Sequence, residues 1–389
     1  MRKAVSLEPE ALLKRAQART GLADFGDHGF REPFEILCRA LNEEADLHLL
    51  GRTLARFQLI DTLSARLRAE ELLKLRPEIV DLPVDDPIVI LGLPRTGTTM
   101  LQRLLSRDPG LRSLPYWEAL QPLPPKNLLE RPPETATRIH TTHRAIGFVH
   151  WITPLMRAMH EMDAEEPDEE IWLLGMDFAT MLHEATWNVP SFRDWYQQAD
   201  LRPGYTYLRR MLQILSWYRP GERWLLKSPQ HLEQLPILAE TFPRATIVQT
   251  HRDPLKATAS FAHMIAYSRR ASERHPDPAA ISAYWATRLE AMLNRSAEAR
   301  PAALADRFVD VQFEELNRDP IGVVSRIYEV SGRELTPRTE AAMREFLAAN
   351  PRGKHGAHAY RLEELGLDPA ERRKALAFYS DRFGVPAED

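Results

Sequence analysis

The fold is decided by one stretch of sequence, Pro87-Ile88-Val89-Ile90-Leu91-Gly92-Leu93-Pro94-Arg95-Thr96-Gly97-Thr98-Thr99. Its first part is an apolar run that is too short for a helix and predicts a buried strand. Two glycines then bracket a short loop, and an amphipathic helical pattern follows until Asp108-Pro109-Gly110. A strand, a glycine loop and a helix in this order aim backbone N–H groups and a helix N-terminus at a phosphate group.

The spacing of the two glycines, Gly92 and Gly97, copies the Walker A pattern. However, Thr98 stands where ATPases and GTPases carry their lysine. The cation lies inside the loop instead, at Arg95. The loop therefore predicts an anion site that is not built for ATP hydrolysis.

Composition limits the functional classes. The chain has 389 residues, of which 44% are hydrophobic, enough for one large α/β unit with insertions. A net charge of −4 provides no overall basic field, so we expect no nucleic-acid partner. The one cysteine, Cys38, excludes an internal disulfide and favours a reducing compartment. Because Cys38 lies in an amphipathic helical pattern, we interpret it as part of the core.

The N-terminal residues contain no hydrophobic signal segment. No stretch reaches the roughly 20 apolar residues that a membrane span requires. These features predict a cytoplasmic protein without a membrane span. The sequence carries no separate signal for the oligomeric state.

Three further apolar segments predict strands, at residues 224–226, 245–250 and 308–313, and helical patterns separate them. This alternation predicts a mostly parallel sheet covered by helices. We predict an N-terminal helical extension over residues 1–84 and an α/β domain over residues 85–389. A helical insertion is expected within the α/β domain, at about 126–222.

Tryptophans are concentrated in and beside this insertion. Six of the eight lie there: Trp117, Trp151, Trp172, Trp187, Trp195 and Trp217. They are interpreted either as ordinary core aromatics or as the wall of a site for an apolar acceptor, and the sequence leaves both interpretations open.

Charged residues follow the second and third predicted strands, where parallel sheets bind their ligands. Lys227 and His231 follow the second strand, and Ser228-Pro229 between them predicts the start of a helix. Arg252 and Ser260 follow the third strand, and the planar guanidinium of Arg252 suits a phosphate group. Further along, Arg352, Gly353 and Lys354 form a basic loop suited to closing over an anion.

Together these motifs resemble the sulfotransferases that use 3′-phosphoadenosine-5′-phosphosulfate (PAPS). The resemblance rests on the glycine loop (Pro94–Thr99), the pair of Arg252 and Ser260, and the basic loop (Arg352–Lys354). Two further segments, Leu226–His231 and Val311–Pro320, resemble segments of bacterial members. It covers about 87–125 and 224–356. It implies a P-loop-like α/β fold and a sulfuryl transfer from PAPS.

The resemblance also implies the donor-binding residues. The first loop of that family holds the 5′-phosphosulfate, which here assigns Arg95, Thr96, Gly97, Thr98 and Thr99. The 3′-phosphate is held by the Arg–Ser pair and by the basic loop, which here assigns Arg252, Ser260, Arg352, Gly353 and Lys354.

The implied reaction is an in-line transfer, without a metal, to a hydroxyl group of a small apolar or aromatic acceptor. Arg95 and Lys227 are expected to stabilise the charge that grows on the 5′-phosphate leaving group. Many cytosolic eukaryotic members carry Lys where this chain has Arg95, a difference shared with the bacterial and Golgi branches.

Two residues are candidates for the general base. Cytosolic members use a His that His231 matches only after a shift of two positions. Other branches use a Glu downstream of the first helix, and Glu118 resembles that residue here. We favour Glu118 as the base, with His231 as its partner in the active site.

Three other functions fit part of the pattern. A P-loop kinase or NTPase would need the lysine that the loop lacks. A metal enzyme could use His140, His143, His150 and His160, but no cysteine or compact carboxylate set joins them, so we expect no metal. A non-catalytic nucleotide-binding protein would be distinguished only by tests of activity.

Overall fold

A computed structural model describes residues 5–131, 134–300, 302–351 and 365–388. Within these residues, five parallel strands form one sheet in the order β2-β3-β1-β4-β5. The strands are β1 (Ile88–Leu91), β2 (Leu111–Ser113), β3 (Arg223–Lys227), β4 (Thr246–His251) and β5 (Phe308–Gln312). The prediction of a parallel sheet is confirmed. Strand β2 was not predicted, because its three residues are too few to show a pattern.

The two faces of the sheet belong to two hydrophobic clusters. In β1, Val89 and Leu91 pack into the larger cluster, while Ile88 and Ile90 pack into the smaller one. Successive side chains of a strand point to opposite faces, so a strand covered on both faces must be apolar at every position. This burial explains why the strand reads as a continuous apolar run.

Three α-helices precede the sheet in the described part of the chain: α1 (Pro9–Thr20), α2 (Arg31–Glu43) and α3 (Leu49–Leu75). Their buried residues, among them Leu12, Phe34 and Leu63, share the larger cluster with Val89 of the sheet. The N-terminal helices therefore cover the core of the α/β unit. The boundary between residues 1–84 and 85–389 stays a prediction.

Helix α4 (Thr98–Leu105) begins directly after the glycine loop and contributes Leu101, Leu104 and Leu105 to the smaller cluster. Seven helices lie between β2 and β3 in the residues that the structure describes. They are α5 (Tyr116–Leu120), α6 (Ala136–Ile152), α7 (Met156–Met159), α8 (Ile171–Leu174), α9 (Leu182–Thr186), α10 (Pro190–Tyr196) and α11 (Arg202–Tyr218).

The segment after β3 differs from the predicted helix. Ser228 caps a 3₁₀ turn (Pro229–Glu233), and α12 (Leu235–Thr241) starts only after it. Pro236 has no backbone N–H and its ring would clash with the preceding turn, so one continuous helix cannot cross this position.

After β4 the chain forms seven further helices in its described part. They are α13 (Pro254–Ser268), α14 (Pro278–Glu298), α15 (Phe313–Arg318), α16 (Pro320–Ser331), α17 (Pro337–Ala349), α18 (Pro369–Ala375) and α19 (Ala377–Phe383). As predicted, Asp253 caps α13, because its carboxylate accepts a hydrogen bond from the Leu255 N–H at 2.9 Å. None of the described helices is long and apolar enough to span a bilayer.

Candidate active site

The loop between β1 and α4 has a backbone that favours glycine at two of its positions. Gly92 and Gly97 have φ angles of 154° and 92°, and a Cβ atom at Gly92 would overlap the Thr250 hydroxyl. The Thr96 hydroxyl donates to the Leu93 carbonyl at 2.6 Å and lies 2.6 Å from the hydroxyl oxygen of Thr250. The loop is therefore held against β4 by its own hydroxyl group.

Arg95 has a left-handed backbone in this loop, with φ 74°, which is rare for a residue with a long side chain. Its guanidinium donates to the Met159 carbonyl at 2.8 Å and to the Ser260 hydroxyl at 3.2 Å. The structure thus brings together the predicted residues Arg95 and Ser260. Met159, from the end of α7, joins them.

Lys227 ends β3 and lies beside the glycine loop, because Ile90 of β1 is its register partner. Its ammonium group donates to a Glu169 oxygen at 2.6 Å, and its backbone N–H donates to Glu170 at 2.8 Å. Two consecutive carboxylates therefore hold the side chain and the backbone of Lys227.

His231 is fully buried and both of its ring nitrogens have partners. Nε2 lies 2.6 Å from the second oxygen of Glu170, and Nδ1 lies 2.7 Å from the Tyr205 hydroxyl. The chain of contacts from Tyr205 through His231 and Glu170 reaches the Lys227 backbone. This arrangement suits a supporting role for His231, which the sequence analysis considered only as the base or as the partner of Glu118 in the active site.

Glu169 differs from Glu170 in its surroundings. Its side chain is 23% exposed and Lys227 is its ion-pair partner. Burial raises the pKa of Glu169, and the positive charge of Lys227 opposes this rise. A carboxylate with a raised pKa and partial access to solvent is suited to accept a proton.

His160 lies among the same charges. Burial lowers the pKa of His160; the Asp168 carboxylate opposes that change, whereas Lys227 and Arg95 add to it. These interactions group His160 with the two cations that the sequence analysis assigned to the leaving group.

The sequence analysis missed Glu169 and Glu170, because residues 163–170 form an acidic run that is typical of a solvated surface. The structure pairs this run with the segment after β2: the Asp168 N–H donates to the Leu114 carbonyl at 2.8 Å. The sequence offered one sign that the two glutamates are not on the surface, because the apolar residues of helix α8 follow them directly.

Glu118, the favoured base, lies in a different environment. Its carboxylate is 3% exposed and forms ion pairs with Arg112 at 2.8 Å and with Arg219 at 3.0 Å. Burial lowers the pKa of Arg112 to about 10, with Glu118 opposing the change. Both Glu118 oxygens accept hydrogen bonds from guanidinium groups, one from Arg112 and one from Arg219.

Arg252 faces the glycine loop. Its guanidinium donates to the Arg95 carbonyl at 3.0 Å and stacks over the Phe313 ring at 4.1 Å. Its other two nitrogens, Nε and Nη2, bind the two oxygens of Glu388, each at 2.7 Å. The guanidinium fork thus holds an anion in the geometry that it would offer to a phosphate group.

The other predicted residues fall into two groups. Gly97 and Thr98 open α4, and Thr99 follows in its first turn. Arg352, Gly353 and Lys354 lie outside the described residues. Among the residues that are described, no three or more His, Cys, Asp or Glu side chains are grouped to hold a metal ion.

Residues 87–337, from the start of the glycine-loop strand onward, match a family model described as "Sulfotransferase family". The chain belongs to the sulfotransferase family. This sulfotransferase is therefore a transferase enzyme, and its fold is the P-loop-like α/β fold that the resemblance implied.

Two solved structures of the family are similar over nearly the whole chain. Sulfotransferase STF9 from Mycobacterium avium has a TM-score of 0.87 at 30% identity, with 98% of both chains covered. Sulfotransferase STF1 from Mycobacterium tuberculosis H37Rv has a TM-score of 0.83 at 32% identity, with 97% of this chain and 100% of that chain covered.

A curated relative adds a named activity. The omega-hydroxy-beta-dihydromenaquinone-9 sulfotransferase Stf3 of Mycobacterium tuberculosis (strain CDC 1551 / Oshkosh) is 24% identical over 300 residues, which cover 73% of this chain and 72% of that protein. The Stf3 protein of Mycobacterium bovis (strain ATCC BAA-935 / AF2122/97) matches to the same extent.

Proposed function

We propose that this sulfotransferase moves a sulfuryl group from PAPS to a hydroxyl group of a small apolar or aromatic acceptor, without a metal, in the cytoplasm. One observation carries the proposal. Arg95 lies in the loop after β1, Lys227 ends the adjacent strand β3, and Lys227 contacts the partly exposed carboxylate of Glu169 at 2.6 Å. Two cations and a proton acceptor therefore lie at one end of the sheet.

The residues of the loop fit the donor. A Cβ atom at Gly92 would fill the space beneath the loop, and Gly97 leads into the N-terminus of α4. When bound, PAPS supplies the sulfuryl group and a 5′-phosphate leaving group. Thr98 and Thr99 would direct first-turn N–H groups at that phosphate, while Thr96 keeps the loop on β4.

Arg95 and Lys227 stabilise the leaving group. Sulfuryl transfer resembles phosphoryl transfer with a loose transition state, so most of the rate comes from positioning and charge stabilisation. Arg95 is held by Met159 and Ser260, and Lys227 by Glu169 and Glu170. Because these contacts orient both cations in advance, little reorganisation is needed as charge develops.

Glu169 removes the proton from the acceptor hydroxyl. Its raised pKa and partial exposure suit a general base, whereas the oxygens of Glu118 are held by two arginines. Glu170 positions Lys227 by accepting a hydrogen bond from its backbone N–H, and His231 in turn contacts Glu170. Glu118 then serves to anchor α5 to Arg112 of β2, and the choice between Glu118 and Glu169 is tested by the variants given in the Discussion.

Arg252 and Ser260 bind the 3′-phosphate. On binding, Arg252 exchanges the carboxylate of Glu388 for the phosphate group. The Glu388 carboxylate holds the fork of Arg252, and the Glu388 N–H donates to Asp253 at 2.9 Å. A 3′-phosphate carries more charge than a carboxylate and can also reach the Ser260 hydroxyl. The donor therefore displaces Glu388. Arg352, Gly353 and Lys354 would complete this subsite.

The acceptor class is supported by the named relative. The name of Stf3 gives omega-hydroxy-beta-dihydromenaquinone-9, an apolar alcohol, as the compound on which it acts. The insertion supplies aromatic residues, although Trp117 and Trp187 are buried in the core. We therefore propose an apolar alcohol as acceptor.

The test is sulfuryl transfer by the purified protein. The protein is incubated with PAPS, a chelator and a series of alcohols of increasing apolarity, and products heavier by one sulfuryl group are sought by mass spectrometry. We expect such products with the native chain and far less with Lys227→Ala. ATP hydrolysis or phosphorylation with Mg²⁺, and no transfer from PAPS, would contradict the proposal in favour of a P-loop kinase.

A further inference from the structure

The C-terminal half of α6 and the segment that follows it expose an apolar surface, which we call the α6 tip. Its exposed large residues are Phe148 at 39%, Trp151 at 75% and Leu155 at 52%. The rings of Phe148 and Trp151 lie 6.0 Å apart and so form one patch. Ile146 of the same helix is buried against the protein, so in the part of the chain that the structure describes the tip is a second apolar surface of α6 that stays exposed.

The segment that carries the tip is basic. Residues 136–160 contain no Asp and no Glu, although the chain as a whole carries a net charge of −4. Arg144 precedes Phe148 by one helical turn and Arg157 follows Leu155, and both side chains are exposed. Exposed tryptophan and phenylalanine among arginines are typical of helices that lie in the headgroup region of a bilayer.

We propose that the α6 tip docks on the surface of an anionic lipid bilayer. The tip is too short to span a membrane, so it lies in the interface with Trp151 and Phe148 among the lipid chains and the arginines at the headgroups. A second copy of this chain fits less well. In a two-fold interface the same basic surface would face itself, and the like charges would repel.

The position of the tip connects this surface to the chemistry. Leu155 contacts α13 through its N–H, which donates to the Tyr267 hydroxyl at 3.2 Å. Four residues later, the Met159 carbonyl accepts a hydrogen bond from Arg95. Docking would therefore bring the active site to the bilayer surface, where an apolar alcohol could enter without crossing water; this last step rests on the proposed function.

The test measures vesicle binding without donor or acceptor, so its result is independent of the proposed activity. The native protein is floated with vesicles of phosphatidylcholine alone and of phosphatidylcholine with phosphatidylglycerol. We expect binding to the anionic vesicles that weakens in high salt. The double variant Phe148→Ser/Trp151→Ser should lose binding about tenfold or more, and the arginine variants Arg144→Gln and Arg157→Gln about fivefold each.

Phe57 provides the matched control, since it is a 61% exposed aromatic residue on α3, away from the tip. Phe57→Ser should bind vesicles like the native protein. Equal loss in Phe57→Ser and the tip variant, or no binding by the native protein, would overturn the proposal. Light scattering that shows a dimer, dissociated by the tip variant but not by Phe57→Ser, would instead assign the tip to a second copy.

Discussion

Glu118 and Glu169 are two carboxylates beside cations, but their surroundings differ. Glu118 is 3% exposed and its oxygens bind two arginines, whereas Glu169 is 23% exposed and pairs with one lysine. Guanidinium nitrogens of Arg112 and Arg219 bind the two oxygens of Glu118, whereas the ammonium group of Lys227 binds one oxygen of Glu169. The comparison supports the proposal that Glu118 has a structural role and that Glu169 is the general base.

The largest expected effect separates these two roles. Glu169→Gln keeps the shape of the side chain and removes its basicity, so turnover should fall by roughly 10²–10⁴-fold while the fold and the binding of 3′,5′-adenosine bisphosphate are kept. Glu118→Gln should lower the free energy of unfolding by about 3 kcal/mol, because Arg112 stays buried without its charged partner.

Steady-state sulfuryl transfer and urea unfolding measure the two quantities on both variants. Turnover is expressed per folded molecule, so that instability is not read as lost catalysis. Full turnover in Glu169→Gln, with none in folded Glu118→Gln, would return the base to Glu118.

The next effect concerns the two cations near Glu169. Arg95→Ala and Lys227→Ala should each lower turnover at saturating PAPS by about 10²–10³-fold, because each removes a group that stabilises the leaving oxygen. Binding of the bisphosphate product should change much less. Arg344→Ala is the control, since Arg344 forms an exposed pair with Glu340 on α17. Near-native turnover in either site variant would refute that residue's role.

A smaller effect separates the two sides of the Arg252–Glu388 ion pair. Arg252→Ala should weaken binding of 3′,5′-adenosine bisphosphate at least roughly tenfold and leave AMP binding nearly unchanged. Glu388→Gln should have the opposite effect and tighten bisphosphate binding, because the competing anion no longer reduces the fraction of protein with a free fork. Calorimetry on both variants gives these affinities. Equal affinity of the native protein for AMP and the bisphosphate would contradict the assignment.

The smallest effect is a shift in the pH profile. Burial raises the pKa of Glu169, so activity should fall with acid at a midpoint above the ordinary value for a glutamate, since only the ionised form accepts a proton. The positive charge of Lys227 opposes this rise in the pKa of Glu169, so its removal should raise that pKa further. The residual activity of Lys227→Met should therefore fall with acid at a higher pH than the activity of the native protein. Profiles of kcat/KM for the native protein and the variant test this. A limb that stays in place in the variant would show that Glu169 is not the titrating group.

Local patterns predicted the central part of the sheet and the cation positions. Strand β1 is apolar at every position because both faces of the sheet are covered there, and β3, β4 and β5 each contain a shorter apolar run that carries its own signal. Lys227 is the last residue of β3, Arg252 directly follows β4, and Arg95 lies in the loop after β1. The rule that ligands bind beyond strand ends was therefore enough to select them. Strand β2 has three residues and no such signal.

The supporting residues could not be found in this way. Glu169 and Glu170 lie in an acidic run, and only the pairing of residues 164–168 with residues 114–117 carries them to Lys227. His231 is identifiable as a residue near a strand end, but its burial between Tyr205 and Glu170 is a property of packing.

The sequence by itself therefore determined the fold class, the glycine loop and the cations that follow the strands, because these depend on short segments and on the spacing within them. The tertiary structure decided which carboxylate meets Lys227, which anion holds Arg252, and which aromatic residues stay outside the core. Each of these contacts joins segments that are far apart in the chain. A pair of that kind leaves no mark on local composition, and it forms only when the sheet and its covering helices bring both segments to the same place.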